Sequence, residues 1–112
     1  MYDFTQLIRK NLKNTEWEEP VQAVAYPPNE APDLPYIIVI DTITSTGSDT
    51  NKGLILHDLV IERYSTDADY NEVLEQYLNT LPAEWTRETV WLPAPENCFE
   101  TIYNLATIAD NT

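Results

Sequence analysis

Glycine is nearly missing from these 112 residues: there are two, Gly47 and Gly53, both inside one polar stretch. Two glycines cannot build a phosphate-cradling loop, which needs several positions where backbone amides approach a ligand unobstructed. Cysteine is scarcer still. Cys98 stands alone, so it has no internal disulfide partner, and with His57 the sole histidine there is no Cys/His ligand set for zinc. Cys98 therefore reads as a small core residue in a reducing compartment. Basic residues number 6 against 19 acidic ones, a formal charge of −13. Displacing counterions from phosphates needs the opposite balance, which speaks against autonomous nucleic-acid binding and against docking on an anionic membrane. No run approaches the ~20 apolar residues of a membrane span. Met1-Tyr2-Asp3-Phe4-Thr5 lacks the basic and then apolar opening of a signal peptide, so the chain reads as cytosolic at synthesis.

What is present is enough for a core. Hydrophobic residues make up 43% and aromatics 11%, which argues against disorder, and the length fits one domain spanning 1–112. Phe4, Leu7, Ile8 and Leu12 form an apolar stripe that predicts a helix over 3–13, capped by Asp3 with Gln6 three residues on. Arg9, Lys10 and Lys13 crowd its carboxyl end, where cations suit the helix dipole. They hold half of the basic residues, and the sharper reading is a basic spot that docks an acidic neighbour.

Val21 to Tyr26 alternates as a short strand that fits a sheet edge. Four prolines between Pro27 and Pro35 make a stiff extended connector. Tyr36 to Thr44 is a β-branched strand, apolar toward both sides. Ser45-Thr46-Gly47-Ser48-Asp49-Thr50-Asn51-Lys52-Gly53 follows as a polar hairpin tip, longer than a hairpin needs and so a candidate functional loop. Leu54 to Tyr64 returns as a strand. Thr66 is the expected cap of a second helix, with Asp67 and Asp69 in its first turn and Tyr70, Val73, Leu74, Tyr77, Leu78 and Leu81 facing the sheet. Pro82 ends it. Trp85 to Trp91 and Phe99 to Ala109 are the last two strands, the latter with Ile102, Ala106 and Ile108 on one side and Tyr103 and Leu105 on the other. The expected class is α+β: a mostly antiparallel sheet with two helices on one face, in the order α-β-β-β-α-β-β.

Catalytic chemistry finds little footing. His57 and Asp58 are strand neighbours and point to opposite faces, so His57 reads as a structural or interface residue. Asp67 and Asp69 lack the rest of a calcium-loop ligand set, and helix-start stabilisation accounts for both. Glu16, Glu18 and Glu19 around Trp17 read as a solvated connector. No catalytic residue, cofactor or metal is expected. The two-sided strands instead imply that the helices and connectors cover both sheet faces, or that one face meets another copy, with tryptophans and tyrosines as anchors.

The arrangement resembles the tail terminator, or tail completion, proteins of long-tailed bacteriophages and prophages, with the lambda-type terminator fold. The likeness rests on the N-terminal helix from Asp3 to Lys13, the approach Pro35-Tyr36-Ile37-Ile38-Val39 and the segment His57-Asp58-Leu59-Val60-Ile61-Glu62-Arg63-Tyr64-Ser65-Thr66-Asp67. The helix from Tyr70 to Leu81, a Trp-bearing strand and a Tyr-rich strand complete it. It covers nearly the whole chain through element order rather than a catalytic signature. It implies a homohexameric ring that caps the tail tube and meets the head connector or stopper, in the virion tail after assembly in the host cytoplasm, with DNA only passing through the channel and no membrane. In that setting the Ser45–Gly53 loop would order against the tube or connector. Arg9, Lys10, Lys13 and the sheet edge would meet acidic surface on the next copy, and the surplus acid would line the channel. A small acidic DNA-mimic inhibitor, or another neck component of such phages, are the rival readings.

Overall fold

Asp3 caps the first helix as its sequence predicts. In the computed structural model, which describes residues 3–27, 29–44 and 54–110, its carboxylate accepts the Gln6 N–H at 3.1 Å and helix α1 runs over Phe4–Leu12. Phe4, Ile8 and Leu12 are buried along one stripe, while Arg9 and Lys10 occupy the last turn. Strand β1 (Val21–Ala23) is shorter than its alternation suggests. Val24 stops it: this β-branched residue has φ 67°, and Ala25 N–H donates to Ala23 O at 2.8 Å across it. A γ-turn with positive φ is the rarer, strained kind, and it bends the chain so that the Tyr26 ring stands edge-on to Tyr36 at 5.4 Å.

Strands β2 (Tyr36–Thr44), β3 (Leu54–Ser65), β4 (Trp85–Leu92) and β5 (Cys98–Asp110) complete a five-stranded sheet in the order β1-β2-β3-β5-β4. β1 lies parallel to β2; the remaining pairings are antiparallel. The class is therefore α+β with a mixed sheet and two helices, and the element order is the expected one. β1 follows β2 only along Ile37–Val39, so β2 from Ile40 to Thr44 has no outer neighbour among the described residues. β4 forms the other edge.

Helix α2 is Glu72–Leu78, with Asn71 rather than Thr66 as its cap; the Asn71 Oδ1 accepts Leu74 N–H at 2.9 Å. Leu74 and Leu78 are buried as the periodicity predicts, Val73, Tyr77 and Leu81 pack beside them, and Tyr70 lies outside the helix and exposed. The buried residues of α1 and α2 join Val21, Ile37, Val39, Leu59, Ile61, Tyr103 and Leu105 in one cluster. The strand members alternate with residues of the opposite parity, as a pleated strand requires.

Candidate functional site

Charged side chains on the core-facing parity are each tied to a partner. Arg63 is 1% exposed. Its Nε and Nη2 donate to the two Glu19 oxygens at 2.8 Å each, and Nη1 donates to the Asp69 carbonyl at 3.0 Å and carboxylate at 3.1 Å. The Trp17 ring lies 5.8 Å from the guanidinium carbon. Burial pulls the Arg63 pKa down, but the hydrogen bond and charge of Glu19, with those of Asp69, outweigh it and the net shift is upward. Two expectations are corrected here. Glu19 is not solvated: a guanidinium held among core strands needs a carboxylate brought in to it. Asp69 does not start α2, because Arg63 holds it three residues before the helix begins.

Two further knots lie on the same parity. Arg87 donates to both Glu75 oxygens, at 3.0 and 2.8 Å, and stacks 3.7 Å from the Tyr70 centroid, while the Tyr103 hydroxyl donates to Glu75. Burial, then Glu75, pushes the Tyr103 phenol well above its ordinary pKa. His57 is buried, with Nδ1 2.8 Å from Asp41 Oδ2 and the Phe4 ring edge-on at 4.9 Å. The partner is Asp41 across the strand pair, not Asp58. Strand parity already placed Asp41 with Ile37 and Val39; only the register, which sets Ile43 opposite His57, brings the diagonal pair together. Arg63 was the more legible signal. A charge continuing the alternation of Leu59 and Ile61, two residues past the latter, calls for a buried acid, although nothing local names Glu19.

The opposite parity is built differently. Tyr36 and Tyr64 face each other in register and stack at 5.1 Å. The Tyr64 hydroxyl donates to Glu100 at 2.9 Å and Glu62 at 3.2 Å; burial, then these two carboxylates, raises its pKa far beyond the usual phenol value. Along the same face run Asp58, Val60, Glu88, Ile102, Asn104, Ala106 and Ile108, and its β2, β3, β4 and β5 positions carry no Lys or Arg among the described residues. Ile108 is 56% exposed. An apolar and acidic surface of this kind suits a partner that brings cations and apolar contacts.

Of the expected interface residues, Arg9 is partly consumed, since Nη2 donates to Val21 O at 2.6 Å. Lys10 and Lys13 are exposed, and their side chains have no hydrogen bond or ion pair among the described residues. Ser45, Thr46, Ser48, Asp49, Thr50, Asn51 and Lys52 lie outside the described residues. Cys98 is buried, and burial followed by Glu96 and Glu100 pushes its thiol up, away from the nucleophilic thiolate. A concavity of about 330 Å³ gathers Glu16, Glu18, Glu19, Asp67 and Asp69 at Arg63, which engages Glu19 and Asp69. Among the described residues no group of three His, Cys, Asp or Glu side chains is placed to hold a metal ion, and no helix is long and apolar enough to cross a membrane. No protein-family model matches the chain, and no curated protein matches it.

Proposed function

We propose that the chain is a non-enzymatic assembly protein of the tail-terminator kind. In this reading it forms a homohexameric ring that caps a phage tail tube and meets the head connector or stopper. In this reading both helices cover one side of the sheet, which the single core cluster that their buried residues join supports. The observation that carries the reading is the other side. It combines Ile102, Ile108 and Val60 with Asp58, Glu62, Glu88 and Glu100, while Lys10 and Lys13 remain unspent elsewhere on the same chain. Such a pair of unlike patches fits a head-to-tail contact, which closes into a ring when the rotation permits. Acid left facing the lumen repels phosphates and lets DNA pass without sticking.

The test is light scattering behind size-exclusion chromatography, across protein concentrations, with and without a phage tail tube protein, and electron microscopy of tube ends. A ring mass, or a ring seen at tube ends, is expected. A chain that stays monomeric with tube protein present and leaves tube lengths unchanged overturns the reading. If that monomer also blocks a DNA-binding enzyme, the DNA-mimic alternative takes its place.

A further inference from the structure

Behind the γ-turn at Val24 lies a cavity of about 200 Å³, lined by Val24, Tyr26, Tyr36, Ile38, Glu62 and Tyr64 among others. Three phenol rings stand in series there, Tyr26 edge-on to Tyr36 at 5.4 Å and Tyr36 stacked on Tyr64 at 5.1 Å. At the end of the series the Tyr64 hydroxyl bridges the Glu62 and Glu100 carboxylates. Neither carboxylate has a cationic partner among the described residues, in which Arg63 is held by Glu19 and Asp69, Arg87 by Glu75, and the His57 ring faces Asp41. Electron-rich ring faces beside two acids, with Ile38 in the wall, select one chemistry: a cation on an apolar stem.

The chain itself carries that chemistry in the exposed Lys10 and Lys13 of α1 and its cap. In their own copy neither makes an ion pair with those carboxylates. α1 packs with Ile37, Val39 and Ile61, whereas Tyr36, Ile38, Glu62 and Tyr64 alternate with these and face the other way. We propose that the cavity lined by Tyr36, Tyr64 and Glu62, with Glu100 beside it on the Tyr64 hydroxyl, receives the α1 lysines, Lys10 and Lys13, of the next copy. The contact is heterologous, cation on one partner and aromatic acid pocket on the other. It rests on the ring reading and names the surfaces that join.

Two half-broken variants test it. Variant one, Lys10→Glu with Lys13→Glu, keeps its pocket and loses its lysines. Variant two, Glu62→Gln with Glu100→Gln, keeps its lysines and loses the pocket charge. The substituted lysines are exposed, and glutamine preserves an acceptor for the Tyr64 hydroxyl; circular dichroism checks that both fold. Each alone is expected to associate at least tenfold more weakly than the wild-type chain. Mixed, they are expected to form a one-to-one pair that does not extend, because the remaining pocket and lysines can meet only once. If the wild-type chain assembles and either variant assembles as well as it does, this contact is wrong and the ring stands on other surfaces. A wild-type chain that never self-associates, even with tube protein, removes the ring and this contact together.

Discussion

Arg63 occupies a strand position where a neutral branched side chain would pack at no electrostatic cost. The charge survives there because Glu19 arrives from the connector after α1 and binds it through two hydrogen bonds, with Asp69 on the third nitrogen. Desolvating both ions offsets most of their attraction, so the intact pair is weak evidence of net stabilisation. Breaking it is another matter. Arg63→Met is expected to cost about 3–5 kcal/mol, because it leaves the Glu19 carboxylate buried without a counter-ion. The double variant Arg63→Met with Glu19→Leu is expected to recover a large part of that loss. Urea unfolding of the two variants checks the order: a double variant no more stable than the single one would mean that the pair itself, not the orphaned acid, holds the fold. The connector from Glu16 to Pro20 is thereby fastened to β3 by one residue, which also brings β1 into line beside β2.

Helix α2 has only seven residues, fewer than an isolated helix can sustain in water. It stands on its cap and on Leu74 and Leu78. Asn71 serves it twice, since Oδ1 accepts Leu74 N–H and Nδ2 donates to Trp17 O at 3.0 Å, tying α2 to the same connector. Asn71→Ala removes both bonds at a fully buried position and is expected to destabilise by about 1–2 kcal/mol. Asn71→Ser retains a capping oxygen and loses the link to Trp17, so its loss should be clearly smaller; equal losses in thermal unfolding would show that the cap contributes nothing. Sequence periodicity located this helix and its buried face but misjudged its start. Thr66, Asp67 and Asp69 look like a helix opening because capping residues are also turn residues, and here Ser65 Oγ donates to Asp67 O in the turn while Arg63 takes Asp69. The strands were legible from β-branched runs, and the two sides of β5 from simple alternation. What alternation could not supply was register, and His57–Asp41 and Tyr64–Glu100 are products of register. The early end of β1 had no local signal either, since Val24 is a strand-former placed at φ 67°.

At the scale of the molecule, the field of 19 acids against 6 bases competes with the local pairs. Arg63 and Arg87 are already matched, so the excess acid is spread over an envelope of 49 × 27 × 24 Å. At low salt, near 0.01 M, the screening length is about 30 Å and like charges repel across the whole body; at 0.15 M it is about 8 Å and only near neighbours interact. The Arg63–Glu19 pair is buried and poorly screened, while Arg87–Glu75, partly exposed, belongs to a class worth about 0–1 kcal/mol. Relief of repulsion should therefore exceed the loss of attraction. A gain of about 1 kcal/mol corresponds to roughly 4–8 °C in a domain near this size, and the melting temperature is expected to rise by a few degrees between those two salt levels. The measurement is thermal unfolding at pH 7 and a protein concentration where light scattering reports monomer, so that association does not enter. A melting temperature that falls with added sodium chloride would show that the fold depends on its local ion pairs more than it suffers from its net charge.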